Sequence, residues 1–184
     1  MKDENGEYVW RTIRGNRVKI YKDKTLQESL DIHKKYKEQY FKEHFYLESG
    51  DYFAEDLYNR DKKFWNDKKK AYDFKHGLYY KRINVIDKET GKEIANVRYK
   101  EVYKPKLMEV ENKIHVVKIE VHPDYRRKGI ATQLYKELQR RAGNEDIYFG
   151  EFTKDGKKLV ESIGKITKMK KYSDTIEYWG RINK

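Results

Sequence analysis

Three consecutive cations and a glycine, Arg126-Arg127-Lys128-Gly129, stand between a β-branched run and an amphipathic one. A strand that stops, a basic loop and a helix that starts on glycine bring backbone N–H groups, a helix N-terminus and positive charge to one point. A pyrophosphate fits such a point. Gly129 falls where the backbone must turn and let a ligand come close, and a side chain would block that approach. No Ser, Thr, Asp or Asn stands at the helix start, so the first N–H groups stay open to an anion. An ordinary strand, a solvated basic loop and a helix would account for the same residues.

The elements that must position this loop are legible on either side of it. Val117, Ile119 and Val121 alternate with Lys118 and Glu120, which predicts a strand over Lys113 to Val121. His122-Pro123-Asp124 turns the chain. Ile130, Leu134, Leu138 and Ala142 recur every four residues and predict a helix, with Gly143 placed to end it.

The run from Val121 through His122-Pro123-Asp124-Tyr125 into Arg126-Arg127-Lys128-Gly129-Ile130-Ala131 resembles the Arg/Gln-x-x-Gly-x-Gly/Ala signature of the GCN5-related N-acetyltransferases (the GNAT family), together with the phrase that leads into it. The resemblance implies an α/β fold, one N-acetyltransferase-like domain over residues 1–184 with a mixed, mostly antiparallel sheet flanked by helices. It implies acetyl-CoA as the acetyl donor. The backbone of Ile119 and Val121 would pair with the pantetheine arm, and Arg126, Arg127, Lys128, Gly129, Ile130 and Ala131 would hold the pyrophosphate. The implied reaction is direct attack by an amine, of a small molecule or a protein, on the thioester, with a backbone N–H such as that of Val121 polarising the carbonyl.

An ammonium has no lone pair, so a base must first take its proton. Three residues are candidates. Glu151 follows the strand that ends at Gly150, where several members of the resembled family carry a catalytic glutamate. His115 lies near the start of the signature strand, where the histone-modifying branch carries a histidine, and its ordinary pKa suits the task. Glu120 is closer still, on whichever face strand alternation gives it. The acid is less plain. Glu161-Ser162-Ile163-Gly164 resembles the Glu-Ser-Leu-Gly that ends the family's second cofactor-facing helix, but Val160 stands where the family commonly has a tyrosine that protonates the departing thiolate. The usual Asn near the start of that helix is absent as well, with Thr153-Lys154-Asp155-Gly156 in its place. Tyr172, Tyr178 or water would have to supply that proton. A catalytically inactive fold serving as an interaction module is the alternative.

Composition narrows the remaining classes. The 184 residues carry 43 Lys and Arg against 31 Asp and Glu, a net charge of +12, which admits an anionic cofactor, an acidic protein surface or nucleic acid as partner. Charged residues reach 40%, and 17 Tyr and 3 Trp supply apolar area that aliphatic side chains do not. The absence of Cys excludes disulfides and thiolate metal sites and fits a cytoplasmic protein. His33, His44, His76, His115 and His122 show no metal-ligand spacing, so no metal is expected. Gly150 to Lys157 lacks the spacing and the hydroxyl of a phosphate-binding P-loop. No stretch has the length and apolarity of a membrane span, and no signal-peptide pattern opens the sequence.

The rest of the chain reads as three parts. Residues 1–24 form a hairpin, Tyr8 to Ile13 against Arg17 to Tyr21. Residues 25–75 form two helices on the acceptor side. The first opens on the capping box Thr25-Leu26-Gln27-Glu28, with Leu26, Leu30, His33 and Tyr36 or Tyr40 as its stripe. Asp51 would cap the second, with Phe53, Leu57, Phe64 and Tyr72 inside. Residues 79–184 form the cofactor-binding core: a hairpin of Tyr79 to Ile86 and Glu93 to Val102, the signature strand and helix, a strand at Ile147 to Phe149, a helix from Lys157 to Ile163, and closing strands at Lys168 to Tyr172 and Thr175 to Ile182. Aromatic rings interleaved with Lys between Lys34 and Tyr80 suit nucleic-acid stacking, although nearby acids nearly cancel those cations. The resemblance implies that the first two helices overhang the end of the cofactor groove, and Tyr36, Tyr40, Tyr46, Tyr52 and Tyr58 exceed what one buried stripe can hold, so acceptor recognition is expected between Tyr36 and Tyr80, with plain packing of these rings against the sheet as the alternative.

Overall fold

Asp3, Glu7 and Ser29 tie down the first element. In the computed structural model, which describes residues 1–13, 16–53, 65–66, 71–72, 79–101, 114–150, 152–169 and 177–183, strands β1 (Lys2–Asp3), β2 (Gly6–Ile13) and β3 (Asn16–Tyr21) form a small antiparallel sheet. Lys19 reaches Asp3 at 2.6 Å and Lys22 reaches Glu7 at 2.7 Å across it. The Tyr21 amide donates to the fully buried Ser29 hydroxyl at 3.1 Å, which joins this sheet to helix α1 (Leu26–His44). Thr25 and Glu28 make the expected reciprocal cap. The predicted stripe of α1 is inside only in part. Leu26 and Tyr36 are exposed, Leu30, His33 and Tyr40 are half-buried with Tyr40 packed against the core, and the buried positions are Ser29 and Phe41.

The expected second helix is overturned where it was to begin. After α1 the chain runs directly into strand β4 (Phe45–Phe53), and Trp65–Asn66 (β5) and Ala71–Tyr72 (β6) are also strands. Ser49-Gly50-Asp51 reads as a helix punctuator from residue types alone. Instead Gly50 lies inside nine consecutive pairs with strand β7 (Tyr79–Asp87), from Phe45 against Asp87 to Phe53 against Tyr79. Phe45 buried, Tyr46 exposed and Leu47 half-buried already alternate with a period of two, and long-range pairing supplied what local propensity did not. Leu57 and Phe64 lie outside the described residues.

The remaining strands are β8 (Glu93–Glu101), β9 (Ile114–Val121), β10 (Ile147–Gly150), β11 (Gly164–Met169) and β12 (Glu177–Ile182), with helices α2 (Ile130–Ala142) and α3 (Lys154–Ile163). They complete a seven-stranded sheet in the order β11-β12-β10-β9-β8-β7-β4. Every pairing in it is antiparallel except β9 with β10. A parallel pair needs a crossover, and α2 supplies it. The fold is thus α/β, a mixed and mostly antiparallel sheet flanked by helices. The last helix begins three residues earlier than its apolar pattern indicates, because Thr153 caps it by accepting from the Gly156 amide at 3.1 Å. The first closing strand likewise starts at Gly164, not Lys168.

All four predicted α2 positions, Ile130, Leu134, Leu138 and Ala142, are buried against Ile83, Val85, Val97, Tyr99, Ile114 and Ile147 of the sheet. Two polar residues join them. Gln139 donates to the carbonyls of Gly143 and Glu145 at 3.0 and 2.9 Å and accepts from the Ile182 amide at 3.0 Å, so one side chain closes the end of α2 and holds β12. Tyr135 is 3% exposed, and burial pushes its phenol up to about 12. Its neutral form is the one the fold accepts. Stability is therefore intact below the unfolded tyrosine pKa near 10 and falls as pH rises from there through the folded value. The expected loss is about 2–3 kcal/mol by pH 12. Denaturant melts from pH 8 to 12 should show this slope in the wild type and a shallower one in Tyr135→Phe.

Candidate functional site

The short 3-10 turn Pro123–Tyr125 ends β9's run and carries the chain into the basic loop. Arg127 has φ 65 and Gly129 has φ 84, so the backbone twists through the left-handed region twice before α2 begins. Gly129 is the residue before the helix and offers no side-chain cap. The first bond inside α2 runs from the Gln133 amide to the Gly129 carbonyl at 3.2 Å, so the amides of Ile130, Ala131 and Thr132 have no intrahelical partner. They point out of the helix N-terminus, where the dipole favours an anion.

The three cations of the loop do not act alike. Arg126 turns back, and its Nε donates to the Val121 carbonyl at 3.1 Å, fixing the end of β9. Arg127 is exposed and reaches toward Asp155, in the first turn of α3, at 3.9 Å. Lys128 lies over the Tyr125 ring at 5.0 Å and near Tyr40 at 6.0 Å. It lines a cavity of about 420 Å³ with His44, Phe45 and Asp87. Ile130 is buried, so only its backbone can face a ligand.

Sequence reasoning missed a fourth cation. Lys37 of α1 packs its aliphatic stem on Gly129, where an added Cβ would meet Lys37 Cβ at 3.4 Å and Cδ at 3.5 Å. Burial first, and then the nearby Arg127 charge, hold its ammonium below the usual lysine value. Two cations that repel each other beside an uncapped helix end are the arrangement an anion would relieve. No local pattern could reveal this, because Lys37 and Gly129 meet only through the packing of α1 against α2, which the Lys136–Glu38 pair at 2.7 Å secures.

The loop is also anchored from the sheet. Asp87 accepts from the amides of Glu89 and Thr90 at 2.9 and 3.0 Å and from the Tyr125 hydroxyl at 3.0 Å.

Beside the loop the sheet opens. β9 and β10 pair only at Ile114 with Ile147 and at His115 with Tyr148. On the other side β9 stays in register with β8 as far as Val121, with an irregularity opposite Arg98 and Tyr99. The His122 amide donates to the Ile94 carbonyl at 2.8 Å. Backbone groups alternate in direction along a strand, so those of Glu120 and Lys118 also face β8 while those of Val121 and Ile119 face the opening. Side chains alternate on either side of an irregularity at Val117: Ile114, Val116, Ile119 and Val121 pack toward the core, His115, Lys118 and Glu120 lie on the opposite face, and Val117, expected to share the face of Ile119, is 45% exposed.

The candidate proton carriers separate accordingly. His115 sits at the closed end of the fork, its ring centroid 4.8 Å from that of Tyr148. Glu120 is committed to Lys118 at 2.7 Å and Arg98 at 3.3 Å. Those contacts, the Lys118 hydrogen bond foremost, hold its carboxyl below the usual range, which makes it a poor base. Tyr178 lies opposite Gly150 on β12, with the Lys157 ammonium over its ring at 5.2 Å. Val160 is wholly buried and has no proton to give. Glu151 and Tyr172 lie outside the described residues, as do residues 54–64, 67–70 and 73–78 of the stretch expected to recognise the acceptor. Within that stretch Tyr36 and Tyr46 are exposed and Tyr40 stacks on His44 at 4.1 Å. Among the described residues no group of three His, Cys, Asp or Glu is placed to hold a metal ion, and no helix is long and apolar enough to cross a membrane.

Comparison with known proteins agrees with this geometry at the level of family. The model of the acetyltransferase (GNAT) family matches residues 30–157, which include β9, the basic loop and α2. A solved structure described as histone acetyltransferase HPA2 and related acetyltransferase from Corynebacterium glutamicum is 16% identical, with a TM-score of 0.45. The match covers 57% of this chain and 66% of that one, just under two thirds of its length. No curated protein matches the sequence.

The Asp87 anchor makes a prediction of its own. The Thr90 amide, with the Tyr125 hydroxyl and the Glu89 amide adding to it, holds the Asp87 carboxyl below the usual aspartate value. Its contribution to stability is present above the unfolded aspartate pKa and disappears as pH falls through the lower folded value. In Tyr125→Phe, carboxyl NMR titration should show the Asp87 midpoint moved up toward the ordinary value. An unchanged midpoint would mean that the turn amides alone set it.

Proposed function

The chain belongs to the acetyltransferase (GNAT) family, and from that membership we propose that it transfers the acetyl group of acetyl-CoA to an amine, of a small molecule or a protein, by direct attack. The observation that carries this reading is the conjunction of a forked pair of strands with an uncapped, cation-flanked helix end at the fork's mouth. The residues present fit the donor. The free amides of Ile130, Ala131 and Thr132, with Arg127 and Lys37 beside them, suit the pyrophosphate, and Gly129 leaves room for it. The backbone of Ile119 and Val121, facing the opening, suits the amide groups of the pantetheine arm.

An arm laid along β9 from the loop points its reactive end at the closed end of the fork. Val121 is at the loop end, about 13 Å by strand rise from Val117. The amide best placed to polarise the thioester carbonyl is therefore deeper, at Ile119 rather than at Val121. The same geometry puts His115 where the acetyl group would arrive, and it favours His115 over Glu120 as base. Glu151, next after Gly150, remains the other candidate, and it would approach from the β10 side.

Two substitutions test the reading. Gly129→Val forces a β-branched side chain into φ 84 and against Lys37, and should weaken acetyl-CoA binding at least tenfold by calorimetry while the circular dichroism spectrum stays native. Unchanged affinity in the folded variant would remove the pyrophosphate assignment. For the base, His115→Asn and Glu151→Gln are compared with the amine that wild type acetylates. The residue that takes the proton should lose about two to four orders of magnitude in kcat with acetyl-CoA affinity preserved. Near-wild-type turnover excludes whichever residue shows it.

A further inference from the structure

Among the described residues named so far, acetyl transfer leaves one proton without a source. When the amine displaces CoA the sulfur departs as a thiolate, Val160 has nothing to donate, and Tyr178 faces Lys157 and Phe152 on the side of α3. Tyr148, which no local motif marks, stands at the fork itself. It forms the last paired rung with His115 before β9 and β10 part, with the two rings tilted by 43° and 4.8 Å apart. The direction of its ring follows from Gly150. A Cβ built there would come within 3.9 Å of Tyr148 Cε1 and 4.0 Å of the Val116 carbonyl. The Tyr148 ring therefore leans along β10 toward the opening, over the place that glycine leaves vacant. Gly150 itself has φ 65, a conformation that favours the residue with no side chain.

We propose that Tyr148 is the proton donor to the leaving thiolate, working beside His115 at the closed end of the fork. The proposal rests on the acetyl-transfer reading above. In the step, the amine nitrogen bonds to the acetyl carbon as the carbon–sulfur bond breaks, and the electron pair of that bond stays on sulfur. The phenol proton of Tyr148 passes to sulfur, giving the CoA thiol. The proton lost by the amine passes to His115, and from the imidazolium it returns through water to the phenolate, so both side chains end as they began.

Tyr148→Phe keeps the ring contact and removes only the hydroxyl. With acetyl-CoA as donor and spermidine, a lysine-containing peptide and kanamycin as amine probes, this variant should lose a hundredfold or more in kcat with an unchanged KM for acetyl-CoA. The alkaline limb of its pH–rate profile should disappear. Calorimetry supplies a reading that needs no acceptor: wild type should bind CoA more tightly than desulfo-CoA, and Tyr148→Phe should bind the two alike. Wild-type kcat and pH profile in Tyr148→Phe, or a CoA preference that survives the substitution, overturns the role of Tyr148 and leaves the transferase reading standing. A wild-type protein that binds neither acetyl-CoA nor CoA overturns both.

Discussion

Two rungs of parallel pairing, and then none, are the constraint on which the site depends. A continuous sheet satisfies its backbone internally and offers a ligand nothing. Here β9 stays paired with β8 as far as Val121, with one irregularity opposite Arg98 and Tyr99, while among the described residues its pairing with β10 ends at His115, so one edge of an interior strand opens inside the sheet. The opening is held from both ends. The closed end is fixed by the Ile114–Ile147 rung, whose side chains are wholly buried. The open end is fixed by α2, which must cross over the sheet to return the chain parallel, and so sets its N-terminus at the mouth.

The loop at that mouth is built from distant parts of the chain. Lys37 comes from α1, Asp87 from the turn between β7 and β8, and Asp155 from α3. Charge is handled differently at each. Asp87 is satisfied three times over and acts as a fixed point, whereas Lys37 and Arg127 are left facing each other. On the opposite face of the sheet the charges are matched instead, Arg82 with Glu93 and Arg98 with Glu120. Among the described residues the loop thus gathers cations at an uncapped helix end, with Asp155 at 3.9 Å from Arg127 as the nearby acid.

Legibility in the sequence followed the range of the interactions involved. The signature strand, the loop, Gly129 and the four core positions of α2 were readable because periodicity and turn chemistry are local. The strand at Phe45–Phe53 was misread because Ser49-Gly50-Asp51 has turn-forming residue types, and its partner β7 lies some thirty residues on. The stripe of α1 is legible in part, at Leu30, His33 and Tyr40, whereas the buried Ser29 answers the Tyr21 amide of β3, a long-range polar contact that apolar periodicity does not mark. Lys37 and Tyr148 carried no pattern at all. Their positions follow from which helix meets which loop and where two strands separate, and neither is encoded within a window of neighbouring residues.

Gln139 ties the order of synthesis to the order of assembly. Helix α2 has its sequence complete at Ala142, but the acceptor oxygen of Gln139 meets its donor only at Ile182, 43 residues later. At about 5–20 residues per second, a ribosome needs roughly 2–9 s to cover that distance. Throughout that interval the end of α2 is closed by its own Gly143 and Glu145 carbonyls, while the oxygen aimed at β12 is left to water. The strands β10 and β12 are antiparallel neighbours in the finished sheet, so the two strands beyond β10 cannot zip until the last one arrives. The nascent chain therefore offers at most the five strands from β4 to β10, with an exposed β10 edge, for several seconds, and a chaperone would meet it in that form.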